Sequence, residues 1–250
     1  MPTRRVVVAL PVILTVVIAV VIGALVLTQD HRQSEQVDEA EAVAQDYLAD
    51  VQTFRSSVIA KVEAADAKDP GALSKVIDRA IAEPPRLGSA PAYGREHSAS
   101  YAEALQTRAT VLRPFERLSA TLREADTALE FIVAARKVLE LRATDYVGHG
   151  FITTSARVRS ELIPAFVRAR DEFDRVKVPK GKEELAQKVH DAAQYVINQA
   201  TLLADSIENR RNFSFSYRDE FQEAADAVSD YATTVKGDVA EAIAEVTAEL

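Results

Sequence analysis

From residue 33 onward the apolar positions recur in steps of three and four: Val37, Ala40, Ala44, Tyr47, Val51, Phe54, Val58, Val62 and Ala65. That spacing lines one face of a helix with 3.6 residues per turn and does not fit the alternation of a strand. The stripe stops at Asp69-Pro70-Gly71, a strong helix terminator. A short helix is predicted over residues 72–82. Residues 83–95 hold three prolines and two glycines and read as loop.

A second long stripe covers residues 96–143 through Tyr101, Leu105, Leu112, Leu118, Leu122, Leu129, Ile132 and Val138. Pro114 lacks the N–H the helix ladder needs, which predicts a kink or break near Leu112. Residues 144–150 read as a turn. The pattern resumes over 153–176 through Val158, Leu162, Phe166, Ala169 and Phe173, with Pro164 marking a second kink. Val178-Pro179-Lys180-Gly181 is a turn. Residues 182–209 carry Leu185, Val189, Ala192, Val196, Ala200, Leu203 and Ile207, and residues 217–250 carry Phe221, Ala224, Val228, Tyr231, Val235, Val239, Ala242 and Val246. The predicted fold class is all-α. Five long helices and one short one form an elongated antiparallel multi-helix bundle, coiled-coil-like in its narrow Ala-rich seams.

The first 28 residues follow a different rule. Residues 6–28 contain no charge and follow Arg4 and Arg5 directly. A helix of that length spans about 34 Å, enough for a hydrocarbon core of about 30 Å. The run exceeds the length of an ordinary secretory h-region and has no small-residue cleavage site at its end, which favours an uncleaved signal anchor. The positive-inside rule places residues 1–5 in the cytoplasm as a short tail and residues 29–250 outside it as the helical domain. Such a tail cannot build a signalling core, so any signal would pass through a partner. The expected localisation is the cell membrane, single-pass.

Composition narrows the partners. The chain carries 30 basic against 38 acidic residues, a net charge of −8 that argues against nucleic acid. It has no cysteine, which excludes disulfides and a lipoprotein anchor. Arginine outnumbers lysine and alanine and valine abound, a composition that reads as bacterial.

No catalytic motif stands out. The four histidines have no metal-ligand spacing, neighbouring carboxylates diverge around their helices, and no glycine-rich loop has a strand–turn–helix setting. Catalytic, metal and cofactor-binding residues are therefore all expected to be absent. Two segments suit partner contacts. Residues 83–95 are long for a bundle connection and present Leu87 and Tyr93 among the prolines. Residues 209–221 cluster Arg210, Arg211, Phe213, Phe215 and Tyr217, the aromatic and arginine mixture of interface cores, or else a helix corner with its rings turned inward. His149 lies between two glycines in a loop and is a further candidate. Strict up-and-down alternation would put 83–95 at the end remote from the bilayer and 210–216 beside it. The expected function is a non-catalytic interaction or scaffold module of the bacterial cell envelope, joined to an envelope protein or to a second copy through the last helix. The alternative is an extracytoplasmic small-ligand sensor working through a membrane partner.

Overall fold

The computed structural model describes residues 9–64, 69–148 and 152–248, with the side chains of the first helix described from residue 31. Every regular element among them is helical. Helix α1 spans Ala9–Ala64, α2 Pro70–Ile81, α3 Ala92–His97, α4 Ala99–Thr110 and α5 Arg113–Leu139. A single turn, α6, covers Thr144–Val147. Then come α7 at Ser155–Arg157, a π-helical stretch at Val158–Leu162, α8 at Ile163–Phe173, α9 at Glu183–Glu208 and α10 at Arg218–Ala248. Among the described residues no helix is long and apolar enough to cross a membrane. The uncharged run of residues 6–28 lies outside the residues whose side chains are described.

The helix ends follow local chemistry. Asp69 caps α2: its Oδ1 accepts the Ala72 N–H at 2.8 Å, and Pro70 occupies the first helical position. Ser98 separates α3 from α4 by accepting the Tyr101 N–H at 3.1 Å. Pro114 stands in the first turn of α5, and α4 ends at Thr110 as its missing N–H predicts. Pro164 does not break its helix. The turn before it widens into the π-helical stretch, which accommodates the ring. In the tight turn before α9 the Lys182 N–H reaches the Pro179 carbonyl at 3.1 Å, and Gly181 at φ 72° supplies the left-handed corner.

The chain divides into two compact units: residues 1–60 with 81–113, and residues 61–80 with 114–249. In the first, Ala40, Ala44, Tyr47 and Val51 of α1 pack with Tyr101, Ala104 and Val111. The predicted direction is wrong here. Gly94 lies against Gln36 and Ala40, Gly88 against Val43, and Tyr101 packs in the cluster with Tyr47. The proline-rich segment is thus an extended return path along α1, and α4 then runs parallel to α1 instead of antiparallel. Residues 92–95, predicted as loop, are helical. The segment 83–95 sits beside the early part of the described α1 side chains, not at its far end.

The second unit is an up-and-down bundle of α5, α8, α9 and α10, with α2 against α5. One core cluster gathers Phe131, Ile132, Ala135 and Val138 with Phe173, Val189, Ala193 and Val228. The next along the bundle gathers Val158, Leu162 and Phe166 with Val196, Ala200, Leu203, Phe221 and Ala224. The order of these residues makes each successive helix antiparallel to the last. Arg117 of α5 pairs with Glu245 of α10 at 2.8 Å, so the two run alongside almost to the end.

Asp78 fastens α2. Its carboxylate accepts the Ser119 hydroxyl and the Arg123 guanidinium, each at 2.6 Å, and these bonds hold its carboxyl below the ordinary value. Asp78→Ala is expected to cost about 1–2 kcal/mol, because the Ser119 hydroxyl, 2% exposed, loses its acceptor. Since the folded-state value is the depressed one, this stabilisation is complete at neutral pH. It is lost as the pH falls through the carboxylate range. Urea melts at neutral and acid pH check it: the difference between variant and parent should shrink in acid.

Candidate functional site

The structure brings one predicted segment into a defined site, at the corner where α9 turns into α10. Asn209 ends α9. The Arg210 N–H then bonds the Ile207 carbonyl at 3.1 Å, and the Arg211 N–H bonds the Ser206 carbonyl at 2.8 Å. That pair of bonds is the Schellman closure, whose central position is usually glycine. Here it is Arg210, held at φ 54°. A side chain in that conformation costs roughly 1–2 kcal/mol. Arg210→Gly is expected to raise stability by about 0.5–1 kcal/mol once the flexibility of glycine is set against the strain. Thermal melts of the full chain measure it.

Beyond the cap the rings fold inward. Tyr217 stacks edge-on to Phe221 at 5.1 Å and to Phe166 at 6.3 Å, and Phe215 tilts against it at 5.4 Å. Phe213, Phe215 and Tyr217 are half-buried against the core cluster of α8 and α9. The Tyr217 hydroxyl accepts the Ala143 N–H at 2.9 Å, which ties this corner to the turn after α5. Tyr146, Val147 and Ile152 pack into the same cluster. The turn after α5 and the segment before α10 thus meet. Arg210 and Arg211 are exposed on the outside of the corner.

Between these loops lies an open cavity of about 460 Å³. Its walls include Phe215, Tyr217 and Phe221, and its charged lining residues are Arg142 and Arg218. Neither guanidinium has an acidic partner among the described residues. Arg142 and Arg218 were not singled out by the sequence. Arg142 follows α5 far from the aromatic run, and periodicity carries no sign of such a long-range pairing.

The remaining candidates disperse. Leu87 packs against the core of the first unit, and Tyr93 lies flat on the His97 ring at a centroid distance of 3.9 Å. His149 lies outside the described residues. His190 contacts Asp174 through Nδ1 at 3.0 Å. The Tyr195 hydroxyl is pushed up by burial and then by the Glu220 charge beside it. Tyr47 is 2% exposed, its hydroxyl has no hydrogen-bond partner among the described residues, and burial pushes it up too. Arg159 grips Asp205 at 2.6 Å and Glu208 at 2.8 Å, bonds that draw the Glu208 carboxyl down and lock the π-helical stretch to α9. Among the described residues no group of acids and histidines is placed to hold a metal ion. No family model, curated protein or solved structure matches the chain.

Proposed function

We propose that the chain is a single-pass membrane protein of the bacterial cell envelope whose extracytoplasmic helical body acts by binding and not by catalysis. The observation that carries this reading is the unbroken backbone of α1, Ala9–Ala64. It runs from the uncharged segment into the buried stripe of Ala40, Ala44, Tyr47 and Val51 with no glycine or proline at residues 29–33. A continuous helix transmits position. Whatever binds the first unit is then held at a fixed height above the bilayer.

Gln36 stands about 12 Å beyond Thr28 along such a helix. Because Gly94 packs on Gln36, the Tyr93–His97 stack belongs near the lipid surface in this arrangement. The exposed Arg210 and Arg211 corner is the surface offered to an envelope protein. The absence of native cysteine permits a direct test. Ser214→Cys, at an exposed position, should react with a membrane-impermeant maleimide on intact cells, and the protein should resist carbonate extraction. Labelling only after lysis, or release by carbonate, would sink the proposal. Native mass spectrometry of the full chain from its own membranes should then retain a stoichiometric protein companion or a defined homo-oligomer. A second reading, small-ligand binding in the service of a membrane partner, is favoured by the cavity at the corner.

A further inference from the structure

We infer that the corner cavity binds an aryl carboxylate, an inference that rests on the ligand-binding reading and gives it a chemical class. Three properties point to an organic anion with a flat apolar body. The volume, about 460 Å³, is within the range of small-ligand sites, roughly 300–1,000 Å³. The charge along its walls is of one sign: Arg142 and Arg218 line it with no acidic residue. That stands out in a chain with more acidic than basic residues. Three other cavities among the described residues are each lined by both signs, such as Arg123 with Glu124, Lys180 with Asp238, and Lys188 with Glu223. The third property is the ring surface. Phe215, Tyr217 and Phe221 stand at tilted and edge-on angles to one another, and a planar guest pairs well with such rings in offset or edge contact.

The donor chemistry agrees. A guanidinium presents a planar fork that matches a carboxylate with two parallel bonds. Tyr217 already accepts the Ala143 N–H, so its own O–H remains a donor at the lining. Neither arginine contributes to the core, so both are free to serve a guest.

The test is 19F NMR titration of the full chain in detergent micelles with 4-fluorobenzoate, using empty micelles as reference. Saturable binding is expected, weakened at least tenfold by Arg142→Gln and by Arg218→Gln and unchanged by Arg95→Gln in the first unit. The neutral isostere 4-fluorobenzamide should bind at least tenfold more weakly. Equal binding of the amide would overturn the anion inference while leaving a ligand cavity in place. No saturable binding of either probe, or 4-fluorobenzoate binding indifferent to both cavity arginines, overturns the inference as well. Circular dichroism and melting of each variant establish that it is folded; both positions are exposed, and folded variants are expected.

Discussion

Replacing Gly94 by alanine is expected to destabilise the chain by about 3 kcal/mol or more, the upper end of what overpacking costs. An added Cβ would stand 2.0 Å from the Gln36 carbonyl oxygen and 2.9 Å from the Ala40 Cβ. The first of these is backbone within α1 and cannot rotate aside. Relief requires α3 to lift off α1, which exposes the neighbouring contacts of Leu87, Ala90 and Tyr101. At roughly 2–4 °C per kcal/mol for a chain of this size, the melting temperature should fall by about 10 °C. Two other glycines calibrate the result. At Gly71 the new methyl meets the Asp126 carboxylate at 2.6 Å, a flexible end that swings away, so Gly71→Ala should change little. At Gly237, inside α10 with open space around it, alanine should gain about 0.5–1 kcal/mol from helix propensity. If Gly94→Ala melts with the parent, α3 does not approach α1 as described and the parallel course of α4 loses its main support.

That parallel course was not legible in the sequence, for a physical reason. Periodicity reports which face of a helix is buried and is silent on which way the helix points. Residues 83–91 fit a wide turn and an extended return path equally well, since proline favours extended backbone in either case. What distinguishes them is a single close approach at Gly94, and a glycine in a proline-rich stretch looks like any other turn residue. In the second unit the successive core clusters run in antiparallel order, the order predicted there.

The stripes themselves were legible, with an instructive error. Ala40, Ala44, Tyr47, Val51 and Val58 are all buried as their spacing required. In α4 and α5, however, Leu105 and Leu129 were assigned to the seam and are 45% and 37% exposed. Ala104, Ala125 and Ala128 occupy the seam instead, each at most 4% exposed. Helices packed at short distance select small side chains at the contact, so the larger residue one position away is displaced outward. Reading hydrophobicity alone favours leucine; reading volume favours alanine. At the corner, the rings and the arginines of residues 209–221 separate as a helix corner demands, with Phe213, Phe215 and Tyr217 turned toward the core and Arg210 and Arg211 toward solvent. The half of the site contributed by the turn after α5 was invisible, because only the tertiary fold brings Ala143 to Tyr217.

Phe166→Ala is expected to be the most disruptive change in the second unit and to reach the corner directly. Phe166 is fully buried and stands edge-on to both Tyr217, at 6.3 Å, and Phe221, at 6.0 Å. It lies under the aromatic wall of the cavity. Truncating a buried phenylalanine costs about 3–5 kcal/mol, the lost transfer energy together with the cavity left behind. The Ala-rich seams around it offer little bulk to collapse into the void, which favours the upper part of that range. The consequence should be local as well as global. Without Phe166 the Tyr217 ring loses one of the aromatic neighbours that position it, and its bond to the Ala143 N–H, which joins the two loops, should loosen. Limited trypsin digestion reads that loosening, since Arg210 and Arg211 are exposed at the corner. Cleavage there should accelerate more than the fall in global stability alone accounts for. Phe166→Leu, which keeps most of the volume and loses the edge contacts, should recover much of the stability and leave cleavage intermediate. A Phe166→Ala variant that melts lower but is cut at the parent rate would show that the corner holds its shape without support from the α8 core.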